Sequence, residues 1–235
     1  MSEPTIDPAR LAALAAYDTP TICNALEVVR PERRGYGFTT RTLIAPFPDM
    51  KPMVGFARTA TIRASRPPAE PPAEVRRHRM AYYRYVGEGA VPKISLIQDL
   101  DDTPGLGSFW GEVNSAIHKA CGCLGVVTNG AIRDLDAIAP GFGMLAGTVV
   151  PSHIWVHVVD FGGEVNIAGM VARHNDLIHA DRHGAVVVPH DAVEDVLKAA
   201  DLVTRKEAPI LACARGADFS LDALEAAFGQ SDDVH

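Results

Sequence analysis

The stretch KISLIQDLDDTPGLGSFWGEVNSAIHKACGCLGVVTNGAIRD, residues 93–134, decides the fold class. Its first segment is apolar from about Lys93 to Ile97 and reads as a strand running into the carboxylates Asp99, Asp101 and Asp102. GSFWGEVNSAIHKACG then reads as a helix of about ten residues, stopped near Gly122, because glycine ends helices readily. LGVVT, 124–128, is a second short strand rich in β-branched residues. Strand, helix and strand in so short a span make a βαβ unit, so the two strands are expected to be parallel with a right-handed crossover.

Upstream, PARLAALAA (8–16) consists of strong helix formers, and TPTICNALE opens a second helix with Thr19 as N-cap and Pro20 at the first helical position. Together they form an N-terminal helical arm over about 8–30. VGFARTATIRA (54–64) alternates Phe56, Arg58, Ala60 and Ile62 against Ala57, Thr59, Thr61 and Arg63, the period of a strand. PPAEPPAE (67–74) reads as a surface connector, and VRRHRMAYYRYVGEG (75–89) as a helix ending at Gly87 with Met80, Tyr83 and Val86 on one face.

Downstream, MLAGTVVP, IWVHVVDFG, EVNIAGMVARHNDLIHA and AVVVP are strand candidates broken by Gly, Pro and Asn. DAVEDVLKAADLVTRKEAPILACA (191–214) is a long C-terminal helix with Asp191 as its expected N-cap. The whole chain, 1–235, reads as one mixed α/β domain with terminal helices.

Composition narrows the function. With 47% hydrophobic and 22% charged residues the chain has ample material for a core. A net charge of −7 without a basic stripe argues against nucleic acid or an anionic membrane as partner. No apolar run approaches the roughly 18 residues of a membrane span, and MSEPTIDPARLAALAAYD lacks the basic and apolar regions of an export signal, so a cytoplasmic protein is expected. Cys23, Cys121, Cys123 and Cys213 follow no CxxC pattern and read as reduced thiols.

In open α/β sheets ligands gather beyond the carboxyl ends of parallel strands. Two segments are expected to meet at that edge: the helix start Gly111, Glu112, Val113, Asn114, and the Arg133-Asp134 pair that follows TNGAI. Free helix-start amides suit a carboxylate or phosphate. Glu112 and Asp134 supply hard oxygen donors for Mg²⁺ or Mn²⁺, and Arg133 suits a carbonyl or enolate oxygen that gains charge. This combination fits a 2-oxo acid. His153 and His157, four apart in a segment that reads as strand, would share one side of a polar cleft wall as hydrogen-bonded groups, while His179 and His183 flank a turn.

WGEVNSAIHKACGCLGVVTNGAIRDLDAI (110–138) and NDLIHADRHGAVVVP (175–189) resemble the RraA-like family, which includes class II aldolases that release pyruvate from 4-hydroxy-4-methyl-2-oxoglutarate and 4-carboxy-4-hydroxy-2-oxoadipate. The resemblance extends over about 20–225. It implies a layered β/β/α domain like the swivelling phosphohistidine domain, assembled as a homotrimer or homohexamer. It implies Asp134 as ligand of a divalent metal, Arg133 on the pyruvyl oxygen, the amides of Gly111 to Asn114 on the substrate carboxylate, and Glu112 ordering metal-bound water. Glu207 is the nearest match to an acidic residue that such proteins take from a neighbouring subunit.

The implied activity is metal-dependent carbon–carbon cleavage of a 4-hydroxy-2-oxo acid, or decarboxylation of oxaloacetate, through a pyruvate enolate. The alternative within the family is a non-catalytic regulator of the ribonuclease E inhibitor type, whose members lack the carboxylate that Asp134 supplies here. No lysine at this edge suggests a Schiff base, and no Gly-rich loop suggests adenosylmethionine. Three positions depart from the family pattern: Asn129 for the commoner Asp, Asn175 for Gly, and Glu112 for the shorter Asp.

Overall fold

The computed structural model describes residues 6–234. The first five residues of the stretch read as lacking an export signal, and His235 at the end of the expected domain, lie outside them.

Helices α1 (Pro8–Leu14) and α2 (Thr19–Val29) form the N-terminal arm. The cap of α2 differs from expectation. Asp18, not Thr19, accepts from the Thr21 amide at 2.9 Å, and Thr19 instead gives its amide to Asp181 (2.9 Å) and its hydroxyl to His179 (3.0 Å). β1 (Met53–Arg63) is followed by α3 (Pro72–Gly87), whose first turn absorbs the end of the supposed connector. Proline is tolerated there because first-turn amides lack helical acceptors anyway.

The decisive stretch contains β2 (Lys93–Asp99), β3 (Ser108–Trp110), α4 (Glu112–Ala120), β4 (Cys123–Thr128) and β5 (Ala131–Ile132). The helix thus starts beside Gly111 as read, and Ser108–Trp110 ahead of it is a separate short strand. β6 (Gly143–Leu145), β7 (Thr148–Val149), β8 (His157–Phe161), β9 (Val165–Ile167), β10 (Met170–Ala172), β11 (Leu177–Asp181) and β12 (Gly184–Val188) complete the β-rich half. α5 (Val193–Arg215) follows a turn of 3₁₀ helix at His190–Ala192, so Asp191 is no N-cap; its carboxylate pairs with Arg30 at 3.2 Å. α6 (Leu221–Asp232), capped by Ser220, was not anticipated.

The main sheet runs β12-β11-β1-β2-β4-β6, and β2 and β4 are parallel neighbours as expected. β1 is too long for one partner on its second side: β11 pairs with its first half and β8 with its last. Both faces are therefore buried. On one, Val54 and Phe56 pack against α1, α2 and α5, while Ala60 and Ile62 join the cluster of α3 and Trp110. On the other, Met53 and Ala57 meet the β9-β10 hairpin.

Arg58 lies on β1 between the two helical clusters and is almost fully buried. It donates to Asn175 Oδ1 (2.6 Å) and to the Glu88 carbonyl (3.1 Å). Asn175 has a left-handed φ of 68°, which Asn tolerates better than most residues, so the amide that replaces glycine there also holds Arg58.

A second, smaller sheet positions the site. Its order β3-β5-β7 repeats the order β2-β4-β6, because each of those three parallel strands continues past its carboxyl end into one short parallel strand. The result is a mixed α/β fold of two β layers with helices outside. Among the described residues no helix is long and apolar enough to cross a membrane.

Candidate functional site

β3 and β5 are parallel neighbours, so the residues after each emerge side by side. The Arg133 amide donates to the Trp110 carbonyl at 2.9 Å, which fixes Arg133 and Asp134 beside Gly111 and the start of α4. The meeting point lies at the ends of this second layer, one strand beyond the edge of β2 and β4 where the sequence alone located it. The edge of β2 and β4 has a structural task instead. Asp99 accepts from the amides of Asp101 (3.0 Å) and Gly105 (2.7 Å), and burial raises its pKa. For Asp101, burial would do the same, but the Ser65 hydroxyl and the amides of Ala64 and Ser65 outweigh it and lower the pKa.

Asp134 has a left-handed φ of 53°, which turns its carboxylate back onto the helix start. Its Oδ2 accepts from the Glu112 amide at 3.3 Å and lies 3.7 Å from Arg133 Nε. Gly111 is extended, so its need for glycine comes from close approach: a β-carbon there would collide with Asp134 Oδ2. The first-turn amides of α4 have no helical acceptor, and an anion at this end is also favoured by the helix dipole.

Asp134 Oδ1 has no hydrogen-bond partner among the described residues, and the Asp134 side chain is 36% exposed. The half-exposed Asp134 carboxylate, with exposed Glu112 at the start of α4, is a donor set that suits Mg²⁺, which keeps most of its waters. No cluster of three or more His, Cys, Asp or Glu suited to a metal occurs among the described residues.

Arg133 also lines a cavity of about 380 Å³, so its ion pair with Asp134 leaves part of it facing open space. Arg79, Phe109, Asn114, His153, Trp155 and His157 are among the lining residues, whereas Gly111, Glu112, Val113 and Asp134 lie outside that lining. Val113 is 68% exposed, and its side chain makes no site contact. Asn114 accepts from Tyr83 Oη at 2.6 Å and donates to the Phe109 carbonyl, so its amide is fixed.

His153 and His157 share the cavity wall but not a strand. Ile154, at a φ of 44°, breaks the extended run, leaving His153 on a loop and His157 at the start of β8. His153 Nδ1 is 2.9 Å from the Ile154 carbonyl and His157 Nδ1 is 2.8 Å from the Trp155 carbonyl. A carbonyl only accepts, so both rings carry the proton on Nδ1 when neutral and present a lone pair at Nε2.

His118 is wholly buried behind this wall: Nδ1 donates to the Asn114 carbonyl (2.7 Å), Nε2 accepts from Tyr82 Oη (2.7 Å), and burial pushes its pKa down to about 4. His179 is likewise buried, in β11 rather than beside a turn, while His183 is in the turn and bonded to Asp181. Glu207 is exposed on α5 and bears no hydrogen bond or ion pair to any site residue.

Sequence reasoning missed Arg79, Phe109 and Trp155 as neighbours of Arg133. The available signal was the tryptophan set between two histidines in SHIWVH, which leaves Trp155 56% exposed.

A family model described as RraA-like, Aldolase/RraA, matches residues 19–187, well over half of the chain. An uncharacterised protein of Methanocaldococcus jannaschii is 28% identical over 105 residues, 44% of this chain and 50% of that protein. The match thus spans about half the length of that curated relative. Among solved structures, an uncharacterised protein from Pseudomonas syringae pv. tomato superposes with a TM-score of 0.72 at 20% identity, covering 98% of both chains. Streptomyces coelicolor RraAS2, described as an unusual member of the RNase ES inhibitor RraA protein family, superposes with a TM-score of 0.69 at 20% identity, covering 88% of this chain and 97% of its own. At that identity the two structures speak for the fold alone.

Proposed function

From membership of the RraA-like family, to which this chain belongs, we propose a divalent-metal-dependent carbon–carbon lyase that cleaves a 4-hydroxy-2-oxo acid to pyruvate. The family includes both aldolases and ribonuclease inhibitors, so the choice rests on the site. The observation that carries it is the convergence of the α4 amides, Asp134 and Arg133 beside a cavity that remains open.

In this reading the amides at the start of α4 hold the substrate carboxylate. Asp134, with Glu112 through water, would hold Mg²⁺ or Mn²⁺, which would supply positive charge at the 2-oxo oxygen. Arg133 stabilises the same oxygen as charge develops there. A histidine Nε2 on the cavity wall, at His157 or His153, accepts the 4-hydroxyl proton. The C3–C4 bond then breaks, its electron pair passes into the pyruvate enolate, and C4 leaves as a carbonyl. Protonation at C3 completes pyruvate. Decarboxylation of oxaloacetate delivers the same enolate. The assembly proposed is a homotrimer or homohexamer, with Glu207 reaching a neighbour's site.

The test is pyruvate release from 4-hydroxy-4-methyl-2-oxoglutarate and from oxaloacetate with Mg²⁺, with chelator, and in Asp134→Ala. Loss of turnover by at least about a hundredfold in both of the last two supports the lyase, that being roughly 3 kcal/mol of transition-state stabilisation. Turnover indifferent to chelator and to the substitution sinks it.

A further inference from the structure

The cavity beside Arg133 has a chemistry of its own. A chain with 29 acidic and 22 basic residues lines this volume with Arg79, Arg133, His153 and His157 and, among the described residues, with no carboxylate. Apart from Ser108 and Asn114 the rest of the wall is apolar or aromatic, and it includes buried Phe109 and exposed Trp155. Such a lining rejects a cation and a fully polar ligand and accepts an anion attached to a flat or branched apolar body.

The backbone supports a binding role. Ile154 is β-branched yet held at a φ of 44°, a conformation that costs energy and persists only where its surroundings impose it. That kink breaks the strand ahead of Trp155 and gives His153 a carbonyl acceptor in its own turn. Half-exposed tryptophan at the cavity rim supplies a stacking surface for a ring.

We propose that this cavity binds the part of the substrate remote from the 2-oxo acid head, and that this part is an aryl group bearing one acidic function. Arg79 pairs with the acidic group, Trp155 stacks on the ring, and Phe109 adds apolar contact from the wall. The substrate class rests on the lyase reading, but occupancy of the cavity requires neither metal nor turnover. Cleavage of such a compound yields pyruvate and an acidic aryl aldehyde or ketone.

The experiment uses the intact protein in chelator and reads tryptophan fluorescence, to which Trp155 is the solvent-facing contributor and Trp110 the buried one. Benzoate, which has ring and charge, is titrated against acetate, which lacks the ring, and benzyl alcohol, which lacks the charge. Benzoate is expected to saturate at concentrations at least about tenfold below the other two. Arg79→Ala should weaken benzoate about tenfold and leave benzyl alcohol unchanged, and Trp155→Phe should remove the signal while calorimetry still detects benzoate. Equal binding of benzoate and acetate, or benzoate binding indifferent to Arg79→Ala, overturns the proposal. Because chelator is present, a lyase that fails its own assay leaves this result standing, and a lyase that passes does not rescue it.

Discussion

At position 129 the chain needs a side chain that donates and accepts at once. Asn129 Oδ1 accepts from the Asp99 amide at 2.8 Å and its Nδ2 donates to the Asp99 carbonyl at 3.0 Å, tying the end of β2 to the turn after β4. A carboxylate accepts only, so Asn129→Asp would set a negative oxygen against a carbonyl beside buried Asp99. Urea unfolding should show a loss of about 1–3 kcal/mol, the usual cost of an uncompensated polar contact. Gly111 poses the opposite case, in which any side chain is too much. Gly111→Ala displaces the Asp134 carboxylate from the helix start, so Mg²⁺-dependent pyruvate release should fall at least about tenfold while the thermal midpoint hardly moves. A variant that keeps full activity would dissociate Asp134 from the chemistry. Both residues were visible in the sequence, Gly111 as a helix start and Asn129 only as a departure, since its partner is a backbone 30 positions away.

Helix α4 carries a chain of polar contacts through its buried face, from Ser95 by way of Tyr82 to His118 and the Asn114 carbonyl. An unfolded histidine takes up a proton near 6.5, while folded His118 resists until about 4. The folded pKa is the lower one, so stability is complete above about pH 6.5 and declines as pH falls to about 4, by roughly 3 kcal/mol for this group. Buried His179, also shifted down by burial, acts in the same sense. His118→Gln should flatten the fall in unfolding free energy between pH 7 and pH 4 by about that amount, read from urea midpoints at each pH. An unchanged slope would contradict the assignment.

At the same scale, the apolar pattern located β1, β2 and β4 because each is buried almost throughout, whereas it found α3 but not its inward face, which is Tyr82 and Val86 while Met80 is exposed. It did not separate Ser108–Trp110 as a strand ahead of the Gly111 helix start, since three residues carry no period and only the pairing with β5 defines them. It lost α6 because the large apolar residues of that helix, Leu221 and Phe228, are exposed and do not gather with Ala227 on one buried stripe. The kink at Ile154 was beyond any pattern, since the residue type opposes it.

Across the whole molecule, the proposed site depends on three parallel strands each continuing into a short second one. β2, β4 and β6 build the main sheet, and their continuations β3, β5 and β7 carry the catalytic candidates one layer further out. Sequence reading paired the Gly111 and Arg133 segments correctly because both follow parallel strands, yet placed them on the first layer. The continuation strands are only two or three residues long and leave no signature. Of the cavity that reading held Asn114, Arg133 and the shared wall of His153 and His157, but not Arg79, Phe109 or Trp155, because α3, β3 and the loop before β8 are brought together only by the fold.

The central claim, that this outer layer stabilises a pyruvate enolate, is tested most directly without knowing the natural substrate. Pyruvate in deuterated buffer with Mg²⁺ exchanges its methyl protons wherever the enolate forms, and proton NMR follows the loss of the methyl signal. The account predicts exchange well above the buffer rate with the intact protein, abolished by chelator and by either Asp134→Ala or Arg133→Ala. Exchange no faster than buffer, or equally fast in the Asp134→Ala protein, would contradict it.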